Sequence, residues 1–224
     1  MKREHIESKS YIDWLKSMGC VFYAPLDQTN GLDDLISGVV GTASSDSSAV
    51  YDTGSDSYLV TKGNTISVSA PALKWYGLDM ASYFTSQTYG QYTYLIEIKG
   101  VSSLDNASGN FCFQNFRGRP FASNMANCGF SVPSSQFYKL AWCGISDGVN
   151  YTHIYRDGNS VWSNKYSAGN WSSYSTTIFT GLELQNPSNY SANRYYSAKA
   201  YYRNIMLFCK TLTQSDVRQI QGIS

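Results

Sequence analysis

Apolar and polar positions alternate along most of this chain, and that alternation predicts strands. It is clearest in Tyr92–Val101 (YTYLIEIKGV), where Tyr94, Ile96 and Ile98 share one side and Leu95, Glu97 and Lys99 the other, because successive side chains of a strand point to opposite faces. Cys20–Asp27 predicts a strand ending in a turn. Further strands are expected at Tyr58–Thr61, Thr65–Ser69, Asn110–Phe116, Gly129–Val132, Gln136–Ser146 and Thr176–Leu184. Between Tyr151 and Trp162 two alternating runs flank Asp157-Gly158, and Asp-Gly is a strong hairpin signal because the tight turn needs positive φ. The segment Tyr195–Gly222 holds a last strand, with Ala198, Ala200 and Tyr202 and then Ile205 and Leu207 in alternation. A short helix follows, with Val217 and Ile220 apolar and Thr213 and Asp216 at capping-box spacing.

Helical spacing recurs at residues 4–18, where Ile12 and Leu15 share a face near Ile6, Tyr11 and Trp14, and Gly19 supplies the stop. This helix either packs on the β domain or serves as a docking arm. Residues 42–57, rich in Ser, Asp, Gly and Thr, read as exposed loop. Ala72–Phe84 fits no single element, and Trp75, Leu78 and Met80 read there as a loop-borne apolar cluster.

The 224 residues suit one large sandwich, with 1–19 as a helix or arm and 20–224 as the β domain; single all-β domains of roughly 200–250 residues are ordinary. Charged residues make up 15% and the formal net charge is +1, with no basic stripe or acidic tail. Nucleic acid and anionic membrane are therefore not expected as main partners. No run approaches the roughly 18 apolar residues of a membrane span. The opening MKREHIESKSYIDWLKSMG lacks the apolar core of a signal peptide. The expectation is a cytoplasmic chain or one released without the Sec route, as on a virion surface after lysis; a signal removed upstream would instead make it extracellular. Five Cys, at 20, 112, 128, 143 and 209, contain no C-x-x-C and read as buried thiols. His5 and His153 lie near no Cys pair, so zinc is not expected.

The closing strand and helix of Tyr195–Gly222 resemble those of laminin-G-like domains in the concanavalin A-like lectin/glucanase superfamily. The opening strand Cys20–Asp27 with its Asp33–Gly38 loop, the central strand Tyr92–Val101 and the hairpin YRDGNSV follow in that family's order, so the resemblance spans roughly residues 20–222. It implies an all-β, antiparallel jelly-roll sandwich with a short N-terminal and a short C-terminal helix. In the family's central strand one face meets the core and the other is polar. Such folds host lectins, glycanases and adhesion modules.

Glycanases of this superfamily need two carboxylates flanking the scissile bond. Glu97 and Glu183 have no acid two residues away and read as outward-facing strand positions. His153 has no nucleophile motif around it, and no glycine-rich phosphate loop is present. The resemblance implies loop-borne Ca²⁺, for which Asp105 (with Asn106) and Asp147 (with Asn150) are the candidate ligands; plain turn formation is the competing reading. It also implies glycan binding. Nineteen Tyr suit either half-buried strands or a contact surface. Trp171, with Tyr166 and Tyr174 in NKYSAGNWSSY, is the leading aromatic candidate for stacking a sugar, against a reading in which it caps the sandwich edge. Trp75 beside Tyr76 is the second, against core packing. The expected function is a non-catalytic, glycan-binding adhesion module. The alternatives are a structural protein that docks or oligomerises through helix 4–18, and a divergent glycoside hydrolase.

Overall fold

The computed structural model describes residues 9–43, 49–60, 73–78, 83, 91–100, 113–115, 119–120, 135–143, 151–165, 181–184 and 200–223. In chain order the elements are α1 (Lys9–Ser17), β1 (Cys20–Ala24), β2 (Thr42–Ala43), β3 (Ala49–Asp52), β4 (Ser57–Val60), β5 (Leu73–Tyr76) and β6 (Thr93–Gly100). They continue with β7 (Phe113–Asn115), β8 (Arg119–Pro120), β9 (Tyr138–Cys143), β10 (Tyr151–Arg156), β11 (Asn159–Lys165), β12 (Gly181–Leu184), β13 (Ala200–Phe208) and α2 (Gln214–Ile220). Two antiparallel sheets make an all-β sandwich. The larger runs β11-β10-β9-β6-β13-β4-β3, with β1 also on β13; the smaller runs β2-β5-β12-β7-β8.

The interior between the sheets is filled by one face of each strand. Phe22, Tyr94, Ile96, Leu140, Tyr202 and Leu207 come from the large sheet, and Leu73 and Trp75 from β5 of the small one. The expected polar face of β6 is corrected by the structure: Leu95 is 2% and Glu97 7% exposed. The reason is that α1 and α2 lie over the outer face of the large sheet. Leu15 of α1 and Val217 and Ile220 of α2 join Leu95, Ala141, Tyr155, Met206 and Phe208 in a second apolar layer. Helix α1 thus packs on the sandwich. Helix α2 starts with the expected capping box, Thr213 and Asp216 exchanging backbone and side-chain hydrogen bonds.

The Asp-Gly hairpin forms as its turn chemistry demands. Asp157 (φ 48°) and Gly158 (φ 72°) both take positive φ between β10 and β11. Two expectations differ. Residues 42–57 are not all loop: Tyr51 of β3 pairs with Tyr58 of β4 across a turn in which Asp52 caps the Gly54 N–H, since a polar strand is well placed at a sheet edge. Leu73–Tyr76 is strand β5, not a loop-borne cluster, because it alternates inward Leu73 and Trp75 with outward Lys74 and Tyr76. The Asp33–Gly38 loop is tied inward. Asp34, fully buried, accepts from the Tyr23, Ile36 and Ser37 N–H groups and the Ser37 hydroxyl, and burial pushes its carboxyl up against the pull of those donors. The expected strands Thr65–Ser69 and Gly129–Val132 lie outside the described residues.

Candidate functional site

Strand β13 changes neighbour halfway along. Ala200–Tyr202 pair with β4, and Ile205–Phe208 pair with β1. At the change the β6 register shifts, and Asn204 sits in the left-handed region (φ 51°) with its N–H donating to the Pro25 carbonyl at 2.9 Å. An Asn tolerates this region better than most residues, and such strain often marks a site. The bulge aims the Asn204 amide at Glu97, and Nδ2 donates to Oε1 at 3.0 Å. Arg203 Nε donates to Glu97 Oε2 at 2.7 Å. The Tyr23 hydroxyl donates to Asn204 Oδ1 at 3.3 Å.

This polar cluster floors a pocket of about 220 Å³ on the outer face of the large sheet, between α1 and the C-terminal end of α2. Tyr11 of α1 meets Tyr23 edge-on at 6.2 Å and supplies one wall. Gln221 supplies the other: its Nε2 donates to the Leu140 carbonyl at 3.3 Å, and its backbone carbonyl accepts from Lys139 Nζ. Gln221 Oε1 is buried with no hydrogen-bond partner among the described residues. Chemically the pocket offers aromatic surface and a fixed carboxylate with spare acceptor capacity. Beside it the Arg203 guanidinium stacks on Phe137 at 3.9 Å, and Lys99 Nζ stands over Tyr201 at 4.5 Å.

Of the residues expected from sequence, Trp75 is placed in the core, and its assignment as a ligand contact is corrected. It is 0% exposed, meets Phe22 edge-on at 5.2 Å and donates its indole N–H to the Leu32 carbonyl at 2.7 Å. Its neighbour Tyr76 is exposed, with Lys74 Nζ 5.2 Å from the ring centroid. Trp171, Tyr166, Tyr174, Asp105 and Asp147 lie outside the described residues. Among the described residues no group of three or more His, Cys, Asp and Glu side chains is placed to hold a metal ion. Strand register sets His153 opposite Cys143. The Cys143 thiol is nevertheless buried, and burial pushes its pKa up to about 12, so it is no activated nucleophile. His153 stacks on Tyr155 at 6.2 Å.

Sequence reasoning missed Glu97 as a site residue, along with Asn204, Tyr23, Tyr11 and Gln221. One signal was available. Arg203-Asn204 puts two polar residues between Tyr202 and Ile205 and shifts the alternation by one position, which is the signature of a bulge.

No protein-family model and no curated protein sequence matches the chain. Solved structures do. One is botulinum neurotoxin type C, whose passage into cells is described as dependent upon interaction with two ganglioside molecules (TM-score 0.57, 11% identity, covering 97% of this chain and 53% of that one). Another is the botulinum neurotoxin serotype C1 binding domain (TM-score 0.58, 10% identity, 92% of this chain and 52% of that one). A third is Trypanosoma rangeli sialidase in complex with sialic acid (TM-score 0.52, 13% identity, 89% of this chain and 32% of that one). The chain spans about half of the neurotoxin chains and about a third of the sialidase chain. At these identities the likeness is one of fold: an antiparallel β-sandwich of the kind found within these proteins.

Proposed function

We propose that this chain is a non-catalytic binding or adhesion module, laminin-G-like in type, whose ligand is a glycan. The observation that carries the reading is the outer-face pocket, where tyrosine rings and hydrogen-bonding groups meet in one small concavity. Sugars present apolar C–H faces and a rim of hydroxyls, and concave sites with a few placed polar groups suit such ligands. The fold likeness to a neurotoxin described with gangliosides and to a sialidase solved with sialic acid supports the same reading. Glycoside hydrolysis is less well supported, since most glycosidases use a pair of carboxylates and Glu97 is the one acid among the described residues lining the pocket. Trp171, with Tyr166 and Tyr174, remains a proposed second stacking surface, and Asp105 and Asp147 remain proposed Ca²⁺ ligands.

The test is a glycan-array screen of the purified chain, run with Ca²⁺ and again with EDTA. Binding to a related set of glycans supports the module. Weakening by Trp171→Ala assigns the aromatic segment, and sensitivity to EDTA assigns the metal. A blank array under both conditions overturns the reading.

A further inference from the structure

Beside the pocket, the outer face of the large sheet gathers cations around one aromatic ring. Arg203 and Glu97 oppose each other on β13 and β6, and Tyr201 and Lys99 are the next outward pair along the same strands. The Arg203 guanidinium lies over Phe137, the residue before β9, at 3.9 Å. Lys99 Nζ stands 5.2 Å from the centre of that same ring and 4.5 Å from that of Tyr201. Each cation gains from a ring face, but two like charges on one ring repel each other. An anion between them would relieve that repulsion.

The bonding capacity left on these heads is what a ligand meets. A guanidinium has five N–H donors. The Arg203 Nε–H goes to Glu97, and the Nη groups have no partner among the described residues. Lys99 Nζ has no hydrogen-bond acceptor and no ion-pair partner among the described residues. Lys139 faces Glu97 from β9; its Nζ donates to the neutral Gln221 carbonyl, and its backbone N–H donates to Asp157 at 3.0 Å. Lys99, Lys139 and Arg203 against Glu97 and Asp157 leave one positive charge in excess. Lys99, Phe137, Tyr201 and Arg203 are all half-buried. The rings hold the charged heads in place and exclude part of the water, which strengthens an ion contact over one on open surface.

The position fixes how such a group would arrive. Glu97 lines the pocket, and Lys99 lies two residues on along β6, roughly 7 Å away at the rise of a strand. A sugar ring in the pocket, with an exocyclic acid group, reaches about that far. We infer that Lys99 and the Nη edge of Arg203, framed by Phe137 and Tyr201, form a subsite for one oxyanion, a carboxylate or a sulfate ester, carried by a sugar whose ring occupies the adjoining pocket. This rests on the glycan-binding reading above and names the ligand class of that site.

The experiment is a ligand-observed NMR titration of the full chain with sugars that differ only at C6. The probes are the methyl glycosides of glucose and galactose, the methyl glycosides of glucuronic and galacturonic acid, and the 6-sulfates of glucose and galactose. Lys99→Gln and Lys99→Arg are run beside the native protein, each checked by its thermal unfolding midpoint. At least one acidic probe is expected to bind about tenfold more tightly than its neutral counterpart, the scale of one charge-assisted hydrogen bond. Lys99→Gln is expected to remove most of that preference and Lys99→Arg to keep it. A preference confined to the uronides assigns the carboxylate, and one confined to the 6-sulfates assigns the sulfate ester. Three results overturn the inference: neutral and acidic probes binding equally, an acidic preference undiminished in folded Lys99→Gln, or no binding of any acidic probe. Any of these with reproducible glycan-array binding leaves the module reading standing. A blank array together with no binding of any probe overturns both.

Discussion

Arg203 and Glu97 stand directly opposite each other on β13 and β6, and the guanidinium Nε donates to Glu97 Oε2 at 2.7 Å on the covered outer face of the large sheet. The side chains are 24% and 9% exposed. Removing one partner of a buried pair leaves an uncompensated charge and costs about 3–5 kcal/mol, while replacing both with apolar groups is often neutral. Arg203 keeps some solvent, so Arg203→Met alone is expected to cost about 2 kcal/mol, and Arg203→Met combined with Glu97→Leu less than that. Urea unfolding of the single and double variants checks this. A double variant weaker than both singles would show that the pair stabilises beyond the cost of an orphaned charge.

Trp75 is structural. Trp75→Ala removes a fully buried indole that packs on Phe22 and bonds the Leu32 carbonyl, and large-to-small changes of this kind cost about 3–5 kcal/mol. The milder Trp75→Phe is expected to stay folded with a lowered unfolding midpoint and unchanged glycan binding. Selective loss of binding in a fully stable Trp75→Phe protein would return this residue to the site.

The Gly158 turn and α2 are coupled by contact. A Cβ on Gly158 would meet Arg218 Cγ at 2.7 Å, and its φ is +72°. Gly222 also has positive φ (+60°), but nothing lies within 4 Å of its Cβ position. Backbone strain of about 1–2 kcal/mol applies to Ala at both positions. Gly158→Ala is therefore expected to destabilise more than Gly222→Ala, and comparing their urea midpoints isolates the contact with the helix.

The cap of α2 gives a pH dependence. The Thr213 N–H holds the Asp216 carboxyl below the ordinary carboxylate range; partial burial opposes this, and the Thr213 hydroxyl and Lys210 reinforce it. A depressed native pKa means the native state binds the proton less readily than the unfolded chain. The contribution is thus fully present above the ordinary Asp value of about 3.9 and is lost as pH falls through the lower native value. Asp216→Asn is expected to cost about 0.5 kcal/mol at pH 7, given the exposure of the group, and nothing near pH 2. Thermal midpoints of both proteins across that range check the sign.

The sandwich was legible because its signals are local. Alternation in Thr93–Gly100, positive-φ chemistry at Asp157-Gly158 and the Thr213/Asp216 cap each act within a few residues. The site was not. Glu97 has an ordinary outward strand position in the sequence, and it becomes buried only because α1 and α2, far away in the chain, lie over that face of the sheet and Arg203 arrives from β13. Trp75 misled in the opposite direction. Its flanks of Lys74 and Tyr76 point out of the small sheet, while Trp75 itself points in.

The sequence by itself determined the strand periods, the tight turn, the helix caps and the low net charge, since each depends on neighbours a few positions away. Tertiary structure alone decided which face of β6 is covered, that β13 switches partner at Asn204, and that Tyr11, Tyr23, Glu97, Asn204 and Gln221 meet around one pocket. Tyr23 and Asn204 are 181 positions apart in the chain. A contact over that distance is set by how sheets and helices pack, and no local pattern of residues encodes it.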